Sequence, residues 1–224
     1  MRNTRKKELS RRSFIKIGTT AATVFSIVPG HVVGANGKTP PSEKLNIAGI
    51  GIGGMGRGNI GACKGENVVA LCDVDSAYAG KTFKAHPNAA TYVDYRLMLE
   101  KQKDIDAVVI ATPDHTHAVI TMAAIEMGKH VYCQKPLTHT VEEARKITAA
   151  ARASKVQTQM GNQGHSSDAI RVVREWVQSG SIGDVKEVHA WTDRPDDGPW
   201  YANFGARDLP SDFPTVPDSL NWDL

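Results

Sequence analysis

Leu45-Asn46-Ile47-Ala48-Gly49-Ile50-Gly51-Ile52-Gly53-Gly54-Met55-Gly56 runs from a short apolar segment straight into a glycine-rich turn. The apolar segment reads as a buried strand. Gly51, Gly53 and Gly56 then fall in the spacing G-x-G-x-x-G. Each glycine answers a separate physical need. Gly51 permits a tight turn, Gly53 lets the backbone approach a pyrophosphate, and Gly56 lets the following helix pack close to the strand. Gly54 and Met55 complete the turn, where the helix N-terminus offers N–H groups and partial positive charge to phosphate. Glycine-rich turns recur in many proteins, so the reading needs a second half. Asn67–Cys72 supplies it as a second apolar strand ending at Asp73, 22 residues after Gly51. That matches the distance of ~20 residues for an acid that bonds the ribose hydroxyls of a dinucleotide. A carboxylate there favours NAD over NADP, whose 2′-phosphate would meet a like charge.

Outward from this unit, strands and helices alternate. Thr91–Asp94, Asp106–Ala111, His130–Cys133 and Val156–Met160 read as further strands. Asp106–Ala111 is continuously apolar in its interior, as a strand covered on both faces should be. Ala118–Met127 reads as a helix. Thr140 and Glu143 form a capping box, and Val141, Ala144, Ile147 and Ala151 share one helical face. The succession predicts an α/β fold, a Rossmann-type doubly wound parallel sheet over 45–160. Ligands of such sheets lie at the carboxyl ends of the strands. The loops Thr112–His117, Gln134–Pro136 and Gly161–His165 therefore open on one edge with the glycine turn.

His115 and His117, spaced i, i+2, would suit two metal ligands. No cysteine partner accompanies them locally, so the reading assigns no metal and places His117 beside the cofactor. His165 either faces substrate or precedes a helix capped by Ser166 or Ser167. Cys63, Cys72 and Cys133 read as small core residues, since no His–Asn/Asp arrangement accompanies a thiol nucleophile. Three cysteines also do not make a closed disulfide framework.

The chain has 224 residues, with 27 Lys+Arg, 24 Asp+Glu and a formal charge of +3. Charge is distributed unevenly. Arg2, Arg5, Lys6, Lys7, Arg11, Arg12 and Lys16 stand against Glu8 alone, whereas from Asn36 onward 20 bases face 23 acids. A nucleic-acid binder should carry its bases on the folded surface, so nucleic acid is not an expected partner. Ser10-Arg11-Arg12-Ser13-Phe14-Ile15-Lys16, followed by a short, mildly apolar run to Val28, resembles a twin-arginine export signal. The run is too short and polar for a membrane span. Residues 1–35 are thus expected to be an export leader, read by the twin-arginine machinery and directing the protein to the periplasm, and 36–44 a linker.

In order along the chain, Gly51-x-Gly53-x-x-Gly56, Thr112-Pro113 with His117, and Lys135-Pro136 resemble the Gfo/Idh/MocA oxidoreductases, relatives of glucose–fructose oxidoreductase and inositol dehydrogenase. The resemblance covers roughly residues 44–194. It implies that Thr112 and Pro113 line the nicotinamide side of the pocket, and that Lys135 is the active-site lysine of a Glu-Lys-Pro motif. This chain has Gln134 where that family commonly has Glu. It further implies oxidation of a sugar or polyol hydroxyl by NAD, and a homo-oligomer. Some relatives instead use NAD transiently as glycosidases or lyases. Lys135 and His165 are the candidate catalytic residues; Gly51, Gly53, Gly54, Met55, Gly56, Asp73, Thr112, Pro113, His117, Gln134 and Lys135 are the candidate cofactor residues.

Residues 45–165 are therefore read as the nucleotide-binding domain and 166–224 as the start of a truncated α/β substrate domain. A helix is expected over Ser167–Gln178, ended by Gly180, and then a strand over Asp184–Asp193. The stretch 194–224 shows little periodicity. The Asp-x-x-x-His motif of the family's second domain is absent: His189 is the only histidine after His165, and position 185 is Val. The chain thus reads as the amino-terminal part of a longer protein, a cofactor-binding module whose catalysis needs the rest.

Overall fold

A computed structural model describes residues 39–191 and 215–224. The leader and part of the 194–224 stretch lie outside these residues. The chain divides into two units, Met1–Lys44 and Leu45–Leu224. Within the first, Pro41–Glu43 forms one 3-10 turn. The second contains the sheet.

Its strands are β1 (Asn46–Ile50), β2 (Asn67–Cys72), β3 (Ala90–Tyr92), β4 (Ala107–Ile110), β5 (His130–Gln134) and β6 (Thr158–Gly161). Between and after them run α1 (Met55–Ala62), α2 (Gly80–Ala85), α3 (Tyr95–Lys101), α4 (His117–Glu126), α5 (Val141–Ala153) and α6 (Asp168–Gln178). All strand pairs are parallel, in the order β3-β2-β1-β4-β5-β6. This is the doubly wound order, with β1 and β4 flanking the point where the winding reverses.

Side-chain alternation along the strands explains why the sheet is covered on both faces. Ala48 and Ile50, Ala70 and Cys72, Val108 and Ile110 point to one side, where they pack with Met98, Leu99, Ala124, Ile125 and Ile147 from the helices. Ile47, Leu71 and Val109 point to the other, against Ile52, Ile60 and Ala79. The interiors of β1, β2 and β4 are therefore apolar at successive positions.

The six expected strands all form, Asn67–Cys72 with the expected ends and the others with ends shifted by at most two residues. The capping box at α5 is complete: the Glu143 N–H donates to the Thr140 hydroxyl (3.2 Å), and the Thr140 N–H to the Glu143 carboxylate (2.8 Å). Helix α6 forms as expected, and Gly180 follows it at φ +71°. Ser167 stands at its start, but its hydroxyl donates to the Gly164 carbonyl (2.9 Å) rather than capping the helix. The strand expected over 184–193 is not found: 184–191 carries no strand, and 192–193 lie outside the described residues. A strand needs a neighbour to accept its ladder, and among the described residues none lies beside this segment. Val185, Val188 and Trp191 are exposed. No helix among the described residues is long and apolar enough to cross a membrane.

Candidate functional site

The site is built at the carboxyl edge of the sheet, around the turn between β1 and α1. Gly51 has φ +74°, in the left-handed region where other residues are strained. Its N–H donates to the Cys72 carbonyl (2.9 Å), and the Ala111 N–H donates to the Ile50 carbonyl (2.9 Å), which ties the turn to both neighbouring strands. Gly56 sits where a Cβ would lie 2.0 Å from the Gly51 carbonyl oxygen. The first turn of α1 therefore rests directly on the glycine turn. Helix α1 has no side-chain cap at its N-terminus, which leaves its positive end to serve an anion.

Asp73 fixes the same turn from β2. One carboxylate oxygen accepts from the N–H groups of Ile52 (2.8 Å) and Gly53 (3.1 Å), and the other accepts from the Asp75 N–H (3.0 Å). The buried Thr82 hydroxyl donates to the Ile52 carbonyl (2.7 Å). The turn is thus held through both sides of one residue.

Beside it lies a cavity of about 680 Å³, within the range of ligand sites. The glycine turn, Asp73, Val93–Arg96, Ala111–Pro113, His115 and Thr116 line it, with Leu220, Asn221, Trp222 and Leu224 on its wall. The structure thus brings Gly51, Gly53, Gly54, Met55, Asp73, Thr112 and Pro113 together around one space. Gly56 stands behind the turn rather than on the cavity wall. A Cβ on Gly53 would lie 2.0 Å from the Tyr78 ring. The backbone at Gly53 therefore lies against the ring of Tyr78, a side chain that is 64% exposed. The glycine turn, the acid beside it, the uncapped N-terminus of α1 and the open volume fit a dinucleotide.

His117, Gln134, Lys135 and His165 stand off the cavity lining. His117 is buried, its Nδ1 2.6 Å from the Pro136 carbonyl and its Nε2 2.9 Å from the Thr112 carbonyl. It braces the loop after β4 against the loop after β5. A neutral imidazole donates to only one of these oxygens. The Thr116 hydroxyl donates to the Pro113 carbonyl (2.8 Å) and lies 2.7 Å from the Thr112 hydroxyl. Gln134 is buried at the end of β5 against Gly161, and its Nε2 lacks a partner among the described residues. Lys135 follows it, exposed, across a cis bond to Pro136. His165 is exposed in the 3-10 turn Gln163–Ser166. His115 lines the cavity, and among the described residues no three His, Cys, Asp or Glu side chains gather as a metal site requires. Burial is the main influence on Cys72: it pushes the thiol up to about 12, with Asp73 and Asp94 adding to the rise.

Sequence reasoning missed Tyr78, Thr82 and residues 220–224. Tyr78 and Thr82 follow Asp73 closely, but no motif marks them; 220–224 is distant in the chain.

A parallel sheet in this order, with a glycine turn and an acid from the adjacent strand beside one cavity, defines a nucleotide-binding Rossmann domain. Residues 45–162 match the family model GFO_IDH_MocA, described as an oxidoreductase family with an NAD-binding Rossmann fold. The chain belongs to this Gfo/Idh/MocA oxidoreductase family, and its cofactor is NAD. It is 31% identical over 162 residues to inositol 2-dehydrogenase of Serratia proteamaculans, covering 70% of this chain and 48% of that protein. It is 35% identical over 126 residues to 1,5-anhydro-D-fructose reductase of Ensifer adhaerens, covering 55% and 38%. Among solved structures, scyllo-inositol dehydrogenase from Lactobacillus casei with bound NAD(H) and scyllo-inositol superposes with a TM-score of 0.58 at 25% identity, covering 63% and 43%. Myo-inositol 2-dehydrogenase from Lactobacillus plantarum superposes with a TM-score of 0.60 at 27% identity, covering 64% and 43%. The chain spans about half or less of the length of the curated relatives it matches.

Proposed function

We propose that the whole protein oxidises a hydroxyl of a sugar or polyol with NAD, and that it reaches the periplasm through the twin-arginine route. The observation carrying the activity is the single cavity shared by the glycine turn, Asp73 and Thr112–Pro113, in a chain whose relatives include an inositol 2-dehydrogenase, a levoglucosan dehydrogenase and a 1,5-anhydro-D-fructose reductase. The export reading rests on Arg11-Arg12 and the flanks of that pair. A homo-oligomer is the expected assembly of the complete protein.

When bound, NAD supplies the hydride acceptor. The residues of the chain do the rest. Gly54 and Met55, at the N-terminus of α1 on the cavity wall, would hold the pyrophosphate, while Asp73 holds the turn and would face the ribose. Thr112 and Pro113 shape the nicotinamide side. Oxidation moves a hydride from the carbinol carbon and releases the hydroxyl proton. Lys135, on the loop after β5, would orient that hydroxyl and stabilise the charge developing on its oxygen; His165, on the loop after β6, is a candidate to face the substrate. Gln134 sets the base of the lysine loop, and His117 couples it to the Thr112 loop.

The test is Lys135→Ala in the complete enzyme. Turnover should fall about 10²-fold or more, with the NADH dissociation constant unchanged. Undiminished turnover would remove Lys135 from the chemistry. Turnover of a glycoside without net NADH would replace net oxidation by a transient one.

A further inference from the structure

We propose that residues 219–224 are part of the cofactor site, forming the wall of its adenosine half with Trp222 as the surface on which the adenine stacks. This rests on the NAD reading above and extends it to a segment well outside residues 45–162.

Backbone pairing places the segment. Leu220 forms an antiparallel bridge with Asp75. The Ser76 N–H donates to the Ser219 carbonyl (3.0 Å), and the Asn221 N–H donates to the Val74 carbonyl (2.8 Å). The Ser76 hydroxyl reaches the same Ser219 carbonyl at 3.3 Å. Val74–Ser76 directly follow Asp73, the acid that holds the glycine turn. In a doubly wound fold the acid after β2 faces the ribose of the adenosine half, and the winding continues toward the nicotinamide half through β4. The segment is therefore docked on the adenosine side.

Chemistry then selects the occupant. Trp222 is 74% exposed although it lines the cavity. Leu220 and Leu224 lie on the same wall. Of the other aromatic rings lining the cavity, Tyr78 lies against Gly53, and Tyr95 has the Arg96 guanidinium 5.3 Å from its centroid. An indole with apolar neighbours, on the adenosine side of a dinucleotide cavity, offers the flat face that a purine takes.

The experiment titrates NADH, ADP-ribose and nicotinamide mononucleotide into the full chain and into Trp222→Ala, Trp222→Phe and Asn221→Pro, by calorimetry. Trp222→Ala should weaken NADH and ADP-ribose by the same factor, about tenfold. Trp222→Phe should stay within about threefold of the parent, since it keeps a π-face. Asn221→Pro, which lacks the donor to Val74, should act in the same direction as Trp222→Ala. Nicotinamide mononucleotide should bind all four alike, which a general loss of structure would not allow. Unchanged NADH and ADP-ribose affinity in Trp222→Ala overturns the proposal and leaves the cofactor reading intact. Failure of the parent chain to bind NADH or ADP-ribose overturns both.

Discussion

Two alanine substitutions in α1, two residues apart, should shift stability in opposite directions. Gly58 is exposed within the helix, and a Cβ there meets nothing within 4 Å. Gly58→Ala should therefore gain the helix-propensity difference, about 0.5–1 kcal/mol. Gly56 is buried, and its Cβ would lie 2.0 Å from the Gly51 oxygen, 2.9 Å from the Gly51 carbonyl carbon and 3.2 Å from the Ala111 Cβ. The nearest atoms are backbone and cannot rotate aside. Carbon–oxygen contacts settle at about 3.3–3.6 Å, so α1 must back away by roughly 1.5 Å. Overpacking of this kind costs about 1–3 kcal/mol. The same propensity gain offsets part of that, leaving a net loss of about 1–2 kcal/mol. The two variants should thus differ by about 2 kcal/mol, or roughly 4–8 °C in Tm for a chain of this size. Thermal and urea unfolding of both, followed by far-UV circular dichroism, measures the gap. Equal stabilisation of both variants would refute the close seating of α1 on the glycine turn. Gly56→Ala should also lose NADH affinity, because the shifted helix carries the phosphate-facing N–H groups with it.

At Gly53 the conflict is with a side chain, so Gly53→Ala should change stability little and weaken NADH at least tenfold, about 1.4 kcal/mol; the Gly53→Ala/Tyr78→Ala double variant should leave NADH equally weak, and recovery in it would mean that ring displacement, not phosphate approach, limits binding. Cys72 gives an alkaline prediction. Its thiol titrates at about 12 in the folded chain against an ordinary 9.0, so between those values the unfolded chain binds fewer protons. Stability is intact below pH 9 at this group and falls as pH rises through that window. Urea midpoints from pH 8 to 11 should show the fall, and Cys72→Ala should flatten it; an identical slope in the variant would deny Cys72 the role.

Much of the fold was legible because burial on both faces leaves a simple trace. Strands such as Val108–Ile110 are apolar at every position, since alternate side chains enter different core clusters. The α5 capping box was readable because its two hydrogen bonds join residues three apart. Contacts without a local period left no such trace. Asp184–Trp191 carries the strand-prone residues Val185, Val188 and Trp191, yet pairing depends on a neighbour that composition does not reveal. The approach of Ser219 to Ser76 spans 143 positions and uses backbone atoms, which are the same in nearly every residue.

The acid of the fingerprint shows how a spacing becomes geometry. Ile50 pairs with Cys72 in the parallel ladder between β1 and β2. The next residues, Gly51 and Asp73, are therefore neighbours at the sheet edge despite their separation along the chain. Any acid whose spacing satisfies this register lands beside the glycine turn. The structure adds that the carboxylate is occupied there, receiving Ile52 and Gly53 N–H groups. Asp73 is consequently a structural part of the turn as well as the expected ribose contact. A charged acceptor bonded to backbone donors contributes more than a neutral one. Replacing that acid would loosen the phosphate turn together with the ribose, so its effect on affinity cannot be assigned to the ribose alone. Trp222 makes no hydrogen bond to the turn or to Asp73 among the described residues. That independence makes it the cleaner probe of the adenosine half.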